Sequence, residues 1–233
     1  MLNFLELIKR LINFAPDNLN NRLMIDKKEQ LLEAAEELFA EHGYEGTSTR
    51  MLAKKAGVNV AMVSYYFGSK EKLFEALVED RAGNLREKLL ELQDDNISPV
   101  KKIEMVIDYY VDRIFTNRRF HLILHREITL HQRLALNDSI LNILLKNRKE
   151  VAKIIKDGQK KKVFKDVDVE LTIKSIIGTI TQVAHSPALS DKNASSETNK
   201  AKASKETLIK NRLKTHLKNM IKAHLLITKS HSK

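Results

Sequence analysis

The chain has 233 residues, 42% of them apolar, and a formal net charge of +11; that is enough length and apolar content to build a core in one large or two small domains. It contains no cysteine, which excludes disulfides, thiolate zinc sites, iron–sulfur clusters and cysteine nucleophiles and fits a reducing, cytoplasmic setting. Only seven glycines and three prolines punctuate it, and its apolar residues recur at spacings of three and four, so the chain reads as nearly all helix.

The opening stretch MLNFLELIKRLINFAP is apolar, but Glu6, Lys9 and Arg10 interrupt it, so it fits neither a signal-peptide core nor a membrane span. Two readings of residues 1–24 stay open: a short amphipathic N-terminal extension, or sequence upstream of a natural start at Met24. The first strong helix is expected to begin at Asp26, with Glu29 completing a capping-box pattern, and to run through Leu31, Leu32, Ala35, Leu38 and Phe39 to Gly43. A short second helix is predicted over Thr49 to Ala56, with Ser48 as N-cap and Gly57 able to take the left-handed conformation that ends it. Asn59 then caps a third over Val60 to Phe67, with Val60, Val63 and Phe67 on one face. Gly68 stops it, Ser69 caps again, and a long fourth helix runs from Lys70 toward Leu92.

Two short helices joined by a glycine-containing turn and braced by a helix before them make a helix-turn-helix over 48–67, whose second member suits the major groove of DNA. Short helices are marginal alone, so burial of Leu38, Phe39, Leu52, Ala53, Val63 and Phe67 is expected to fix the trio. A DNA-binding domain is placed at 25–85 and a second helical domain at 86–233. In the latter, helices are predicted at about 100–116, 118–133, 138–160, 167–185 and 205–228, with a mobile loop over SDKNASSETNKAKAS. In the last two helices Ile176, Ile180, Val183, Leu213, Leu217, Met220 and His224 offer apolar faces. These faces either pack against a second copy of the chain or cover their own core.

The basic charge does not by itself locate a nucleic-acid site. Between Lys27 and Lys72 seven bases are matched by seven acids; the surplus lies in 146–165 and from Lys192 onward. In the last helix Lys210, Lys214, Lys218 and Lys222 form a separate basic stripe.

The segment LLEAAEELFAEHGYEGTSTRMLAKKAGVNVAMVSYYFGSKEKLFEAL resembles the TetR family of bacterial transcriptional regulators: apolar helix, glycine, Ser/Thr-capped helix, AGV turn, aromatic recognition helix and SKE motif follow one another without a gap. The resemblance implies an all-α fold of about nine helices, with an N-terminal three-helix helix-turn-helix domain and a C-terminal helical ligand-binding and dimerisation domain. It also implies a homodimeric repressor that binds a roughly palindromic double-stranded DNA operator and is released by a small-molecule effector; no membrane partner, cofactor or metal is expected. Carried over by position, the DNA contacts fall on Ser48, Thr49 and Arg50, on Val60, Ala61, Met62, Ser64, Tyr65 and Tyr66, and on Lys70. Many members have tyrosine where Ser64 stands and histidine where Tyr66 stands, so individual phosphate contacts are redistributed and base specificity does not transfer.

Chemically, the hydroxyls of Tyr65 and Tyr66 suit phosphates, Arg50 suits a guanine edge, and Val60, Ala61 and Met62 offer apolar contact only. Lys70 opens a helix where a cation opposes the macrodipole, so a phosphate meeting both Lys70 and the helix terminus is expected. Tyr109, Tyr110, Phe115 and Phe120, with His121, His125, Gln182 and His185, are candidates for an effector pocket, against the simpler reading that aromatic residues at helical spacing fill a core. His121 and His125 share a helix face and could reach a metal with Glu127 or Asp112, but no HExxH motif is present, and packed histidines are the simpler reading. No phosphate-binding loop, G-x-G-x-x-G or G-x-S-x-G motif occurs, so no enzymatic chemistry is expected. A competing reading is a non-enzymatic helical protein that binds anionic membranes or acidic partners through its basic C-terminal surface.

Overall fold

The computed structural model describes residues 16–94, 96–130, 134–186 and 199–227, with only the backbone described at 16–26 and 199–203. Among these residues the chain folds into nine helices: α1 (Pro16–Gly46), α2 (Thr49–Lys55), α3 (Val60–Phe67), α4 (Lys70–Glu91), α5 (Pro99–Thr116), α6 (Arg118–Leu130), α7 (Leu134–Lys160), α8 (Val169–Ala184) and α9 (Asn199–Leu225). Among the described residues extended pairing is confined to one isolated bridge between Phe164 and Leu226. Two compact units divide between Leu77 and Val78, inside α4.

In the first unit, α1 starts well before the expected cap: its backbone is helical from Pro16 through Asp26. Nothing between them breaks a helix, and propagation adds a hydrogen bond per residue, which outweighs a cap worth about 1 kcal/mol. Its expected end at Gly43 is seen as a bend, where φ 77° and ψ 171° leave the helical region. Leu31, Ala35 and Phe39 are wholly buried, and Phe39 stacks on Tyr44 at 5.4 Å and meets the edge of Phe74 at 5.3 Å. Thr47, in the segment read only as a connection, is also wholly buried. Its hydroxyl oxygen lies 2.7 Å from the Gly43 carbonyl and 3.1 Å from that of Leu38, so it closes the C-terminal end of the bent helix.

The second unit is a layered bundle. Ile103, Ile107, Val111 and Ile114 of α5 run through its centre, with Val151, Ile154 and Ile155 of α7, Ile173, Ile176 and Ile180 of α8, and Leu213, Leu217 and Ile221 of α9 packed around them. Four of the residues expected as candidates for a dimer interface, Ile176, Ile180, Leu213 and Leu217, are therefore core of their own chain, because their spacing follows the face turned to α5. Val183 is half-buried against the same core, whereas Met220 and His224 stay exposed.

The basic stripe of α9 is paired rather than free. Lys222 reaches Glu104 at 3.0 Å, Lys218 reaches Asp108 at 2.6 Å, and Lys214 and Lys210 both reach Asp112, at 2.7 and 2.9 Å. Helix α5 carries these acids at helical spacing, so the ladder fixes the register of α9 on α5. The mobile-loop expectation covers 190–204: residues 190–198 lie outside the described residues, and 199–204 belong to α9. None of the described helices is long and apolar enough to cross a membrane.

Candidate nucleic-acid interface and effector pocket

The helix-turn-helix is built by local capping. Ser48 is extended (φ −96°, ψ 158°) and its Oγ accepts the Met51 amide at 3.2 Å; Leu52 and Ala53 are buried, which turns Thr49 half outward and leaves Arg50 exposed. Gly57 takes φ 64° in the turn, and the Val58 amide donates to Ala53 at 3.0 Å. Asn59 then starts α3, its Oδ1 accepting the Ala61 amide at 2.9 Å.

Helix α3 is held by Val63, which is 1% exposed. Val60 shares the Val63 face by spacing but is 44% exposed; at the first turn of so short a helix the inward direction is reached only by Val63. The outer surface therefore comprises Val60, Ala61, Ser64 and Tyr65, with Met62 and Tyr66 half-buried. Tyr65 is 68% exposed. Its ring meets that of Tyr66 edge-on at 5.2 Å, and Tyr66 in turn lies 6.5 Å from Phe67, so the two tyrosines are supported from the inner side with one ring standing into solvent.

Lys70 departs most from expectation. Its ammonium donates to the carbonyls of Tyr44 and Thr47, both at 3.0 Å, and lies 4.3 Å from the centroid of the Tyr44 ring. A cation is disfavoured at the start of its own helix and favoured at the end of another, so the side chain turns back to the carbonyls that close α1. The anion at the α4 terminus is Glu71: its own backbone amide, then the hydroxyls of Ser69 and Tyr44, hold its carboxyl below the ordinary value. Lys70 thereby ties the start of α4 to the connection that carries Ser48, Thr49 and Arg50.

In the second unit a cavity of about 330 Å³ opens among α4, α5, α6, α7 and α8. Of the eight residues expected there, Tyr110, Phe120, His121 and His125 line it; Tyr109, Phe115, Gln182 and His185 do not. Phe115 is 3% exposed in the core and Tyr109 packs against that core, so the reading that aromatics fill a core holds for these two. Gln182 faces outward, and the His185 ring lies 6.2 Å behind that of His125. Burial, with the nearby charges of His185 and Arg113 adding to it, lowers the His121 imidazole to about 3, so that ring is neutral and presents one donor and one acceptor. Burial also raises the Tyr110 phenol, which stays protonated.

The lining also holds Arg81, Arg113, Asn147 and Arg148, which sequence reasoning missed. Asn147 is 4% exposed; it donates to the Ala82 carbonyl at 3.0 Å and accepts from Arg86 Nε at 3.2 Å. The signal was present: Asn147 follows Ile140 and Ile143 and precedes Val151 and Ile154 in the apolar period of α7, and Arg81 stands between Val78, Ala82 and Leu85 in that of α4. A polar residue on an apolar helical face requires either an internal partner or a ligand.

A three-helix DNA-reading unit followed by a helical bundle with an internal pocket defines a one-component transcriptional regulator. The family described as "Bacterial regulatory proteins, tetR family" matches residues 31–77. A Bacillus subtilis relative, "Probable HTH-type transcriptional regulator YttP", is 31% identical over 145 residues, covering 61% of this chain and 69% of that protein. The "HTH-type transcriptional repressor AcnR" of Corynebacterium efficiens is 39% identical over 67 residues, covering 29% of this chain and 36% of AcnR. Among solved structures, the transcriptional regulator FadR from Bacillus subtilis in complex with stearoyl-CoA superposes with a TM-score of 0.63 at 22% identity, covering 79% of this chain and 96% of that one. The chain belongs to the TetR family of bacterial transcriptional regulators and is a DNA-binding regulator of transcription.

Proposed function

We propose that the chain is a cytoplasmic, homodimeric repressor that holds a roughly palindromic operator and releases it when a small molecule occupies the pocket of the second unit. In this reading Arg50 reads a base edge from the start of α2. Val60, Ala61 and Met62 make apolar groove contacts, and Ser48, Thr49, Ser64, Tyr65 and Tyr66 meet phosphates and sugars. Lys70 acts as a positioning residue. The observation that carries the reading is the outer face of α3, with Tyr65 68% exposed on a helix pinned by Val63 at 1%: a large aromatic left in water on a rigid helix points to a partner surface.

The repressor assignment draws on relatives such as AcnR, whose name states that role, and the effector on a pocket within the usual size range of small-molecule sites and on FadR, solved with stearoyl-CoA. Dimerisation draws on apolar residues left exposed on α8 and α9, namely Leu171, Leu208 and Met220, and on Ile227 just after α9. Release follows if the effector favours a spacing of the two recognition helices that no longer matches half-sites about 34 Å apart. The anionic-membrane reading loses its main support because the lysines of α9 are paired with Asp112, Asp108 and Glu104.

Selection of bound fragments from a random DNA pool at moderate salt tests the function. Recovery of one palindromic sequence is expected; retention without sequence preference, or tighter binding to phosphatidylglycerol vesicles than to any DNA, refutes it.

A further inference from the structure

Charged and neutral polar groups share the cavity wall, and they differ in what already holds them. The guanidiniums are engaged within the protein: Arg81 meets Asp80 at 2.6 Å, Arg113 donates to the Arg81 carbonyl at 2.7 Å, and Arg148 lies 3.8 Å from Glu170. A buried carboxyl, that of Glu127 at 5% exposed, stands in the turn of α6 between His125 and Ile128, both of which line the cavity, so acids accompany the bases here. Asn147 is likewise occupied, by the Ala82 carbonyl and Arg86 Nε.

Tyr110 and His121 differ from these. Both line the cavity, and Tyr110 is 6% exposed. Burial pushes the Tyr110 phenol up against the opposing charge of Arg148, and burial lowers the His121 imidazole. Both groups are therefore uncharged, and among the described residues no hydrogen bond engages the Tyr110 hydroxyl or the His121 ring. A pure hydrocarbon filling the cavity would leave both polar groups buried without a partner, which is costly. A carboxylate or an ammonium would give up its hydration on entry and compete with pairs that already exist among the charged groups. A molecule with an apolar body and one uncharged oxygen does neither. Its body packs on Leu85, Ile114, Phe120 and Leu124, and its oxygen can accept from the Tyr110 hydroxyl and the His121 N–H.

Resting on the reading of this cavity as the effector site, we propose that its ligand class is uncharged apolar molecules carrying a ketone or hydroxyl oxygen, with Tyr110 and His121 as the residues that select the oxygen. The apolar wall tolerates variation in the body, and the neutral polar pair sets the head group.

The test uses the full chain, equilibrium dialysis and probes built on one carbon skeleton: 4-phenylbutan-2-one, butylbenzene, 4-phenylbutanoate and 4-phenylbutylamine. The ketone is expected to bind about tenfold or more tightly than each of the others. Tyr110→Phe, which removes only the hydroxyl, and His121→Leu, both checked for native circular dichroism and melting, are expected to lower ketone affinity about tenfold while leaving butylbenzene binding unchanged. His121→Gln, which restores a neutral donor and acceptor, is expected to recover it. Equal binding of ketone and butylbenzene by the native chain overturns the proposal, as does tighter binding of the carboxylate or the amine, absence of binding by all of them, or an unchanged ketone preference in Tyr110→Phe and His121→Leu. The effector reading is judged separately, by whether any probe that binds also lowers affinity for the selected operator in fluorescence anisotropy. A bound ketone with no change in operator affinity refutes the effector role and leaves the ligand class standing; a carboxylate that binds more tightly and releases the operator does the reverse.

Discussion

Replacement of Lys70 by methionine separates a positioning role from a phosphate contact. The substitution keeps the length of the side chain and removes the ammonium. Lost with it are two bonds of 3.0 Å to the Tyr44 and Thr47 carbonyls and the approach of 4.3 Å to the Tyr44 ring. Hydrogen bonds involving a charged partner contribute about 1.5–3 kcal/mol each, with the lower end suited to a half-buried group, and a cation over an aromatic ring adds about 0.5–1 kcal/mol. Relief of the cation at the α4 terminus returns roughly 0.3–1 kcal/mol. The expected net destabilisation is about 3 kcal/mol, a large share of the 5–15 kcal/mol typical of a domain. Urea unfolding followed by circular dichroism measures it; the chain has no tryptophan to report by fluorescence. Operator binding at temperatures where the variant is folded should weaken for all sequences alike, with an unchanged slope of log K against log salt. A stability within about 0.5 kcal/mol of the native chain, with a slope shallower by about 0.9, is the signature of one lost phosphate contact and would refute the argument.

Arg50→Ala is expected to flatten discrimination at one operator position by roughly 1–3 kcal/mol while leaving other positions unaffected; uniform weakening across single-base variants would show a backbone contact instead. Gly68→Ala is expected to cost roughly 1–3 kcal/mol in thermal unfolding, because Gly68 has φ 81° and a Cβ there would touch nothing, so the whole effect is backbone strain; a neutral variant contradicts this. The ladder between α5 and α9 makes stability depend on pH. A hydrogen bond from Lys222 holds Glu104 below its ordinary 4.5 despite partial burial. Partial burial pushes Asp112 up, but hydrogen bonds from Lys214 and Lys210 outweigh it and leave the carboxyl below 3.8. Both groups are lowered on folding, so their contribution is complete above those ordinary values and is lost as pH falls through the lower folded-state values. Acid titration of the native chain beside Lys214→Met should show the variant losing less stability over that window, and parallel curves would remove the ladder from the account.

What the sequence disclosed about this molecule follows the range over which each interaction acts. Ser48, Asn59 and Ser69 cap the three helices that follow them, and Gly57 and Gly68 take positive φ between them; each of these acts within three or four residues, so motif reading gives the bounds of the two short helices to within one residue. Asp26 carries an equally local signal and lies inside α1 instead, because a cap is only an option that a continuing helix can decline. The side chains whose partners lie far along the chain are the ones local signals do not place: read by spacing alone, these cations face outward. Lys70 meets carbonyls 26 and 23 residues away, and Lys222 meets an acid 118 residues away. A stripe of lysines at helical spacing is the same string whether water or a facing row of acids satisfies it. What distinguishes the cases is a complementary period elsewhere, here Glu104, Asp108 and Asp112 on α5. The arginines of the cavity differ from both, since Arg81 interrupts an apolar face rather than forming a face of its own. A charged residue inside an apolar period is therefore the more informative sign of a binding site, and it separates Arg81 in the pocket wall from lysine runs whose charge is neutralised within the fold.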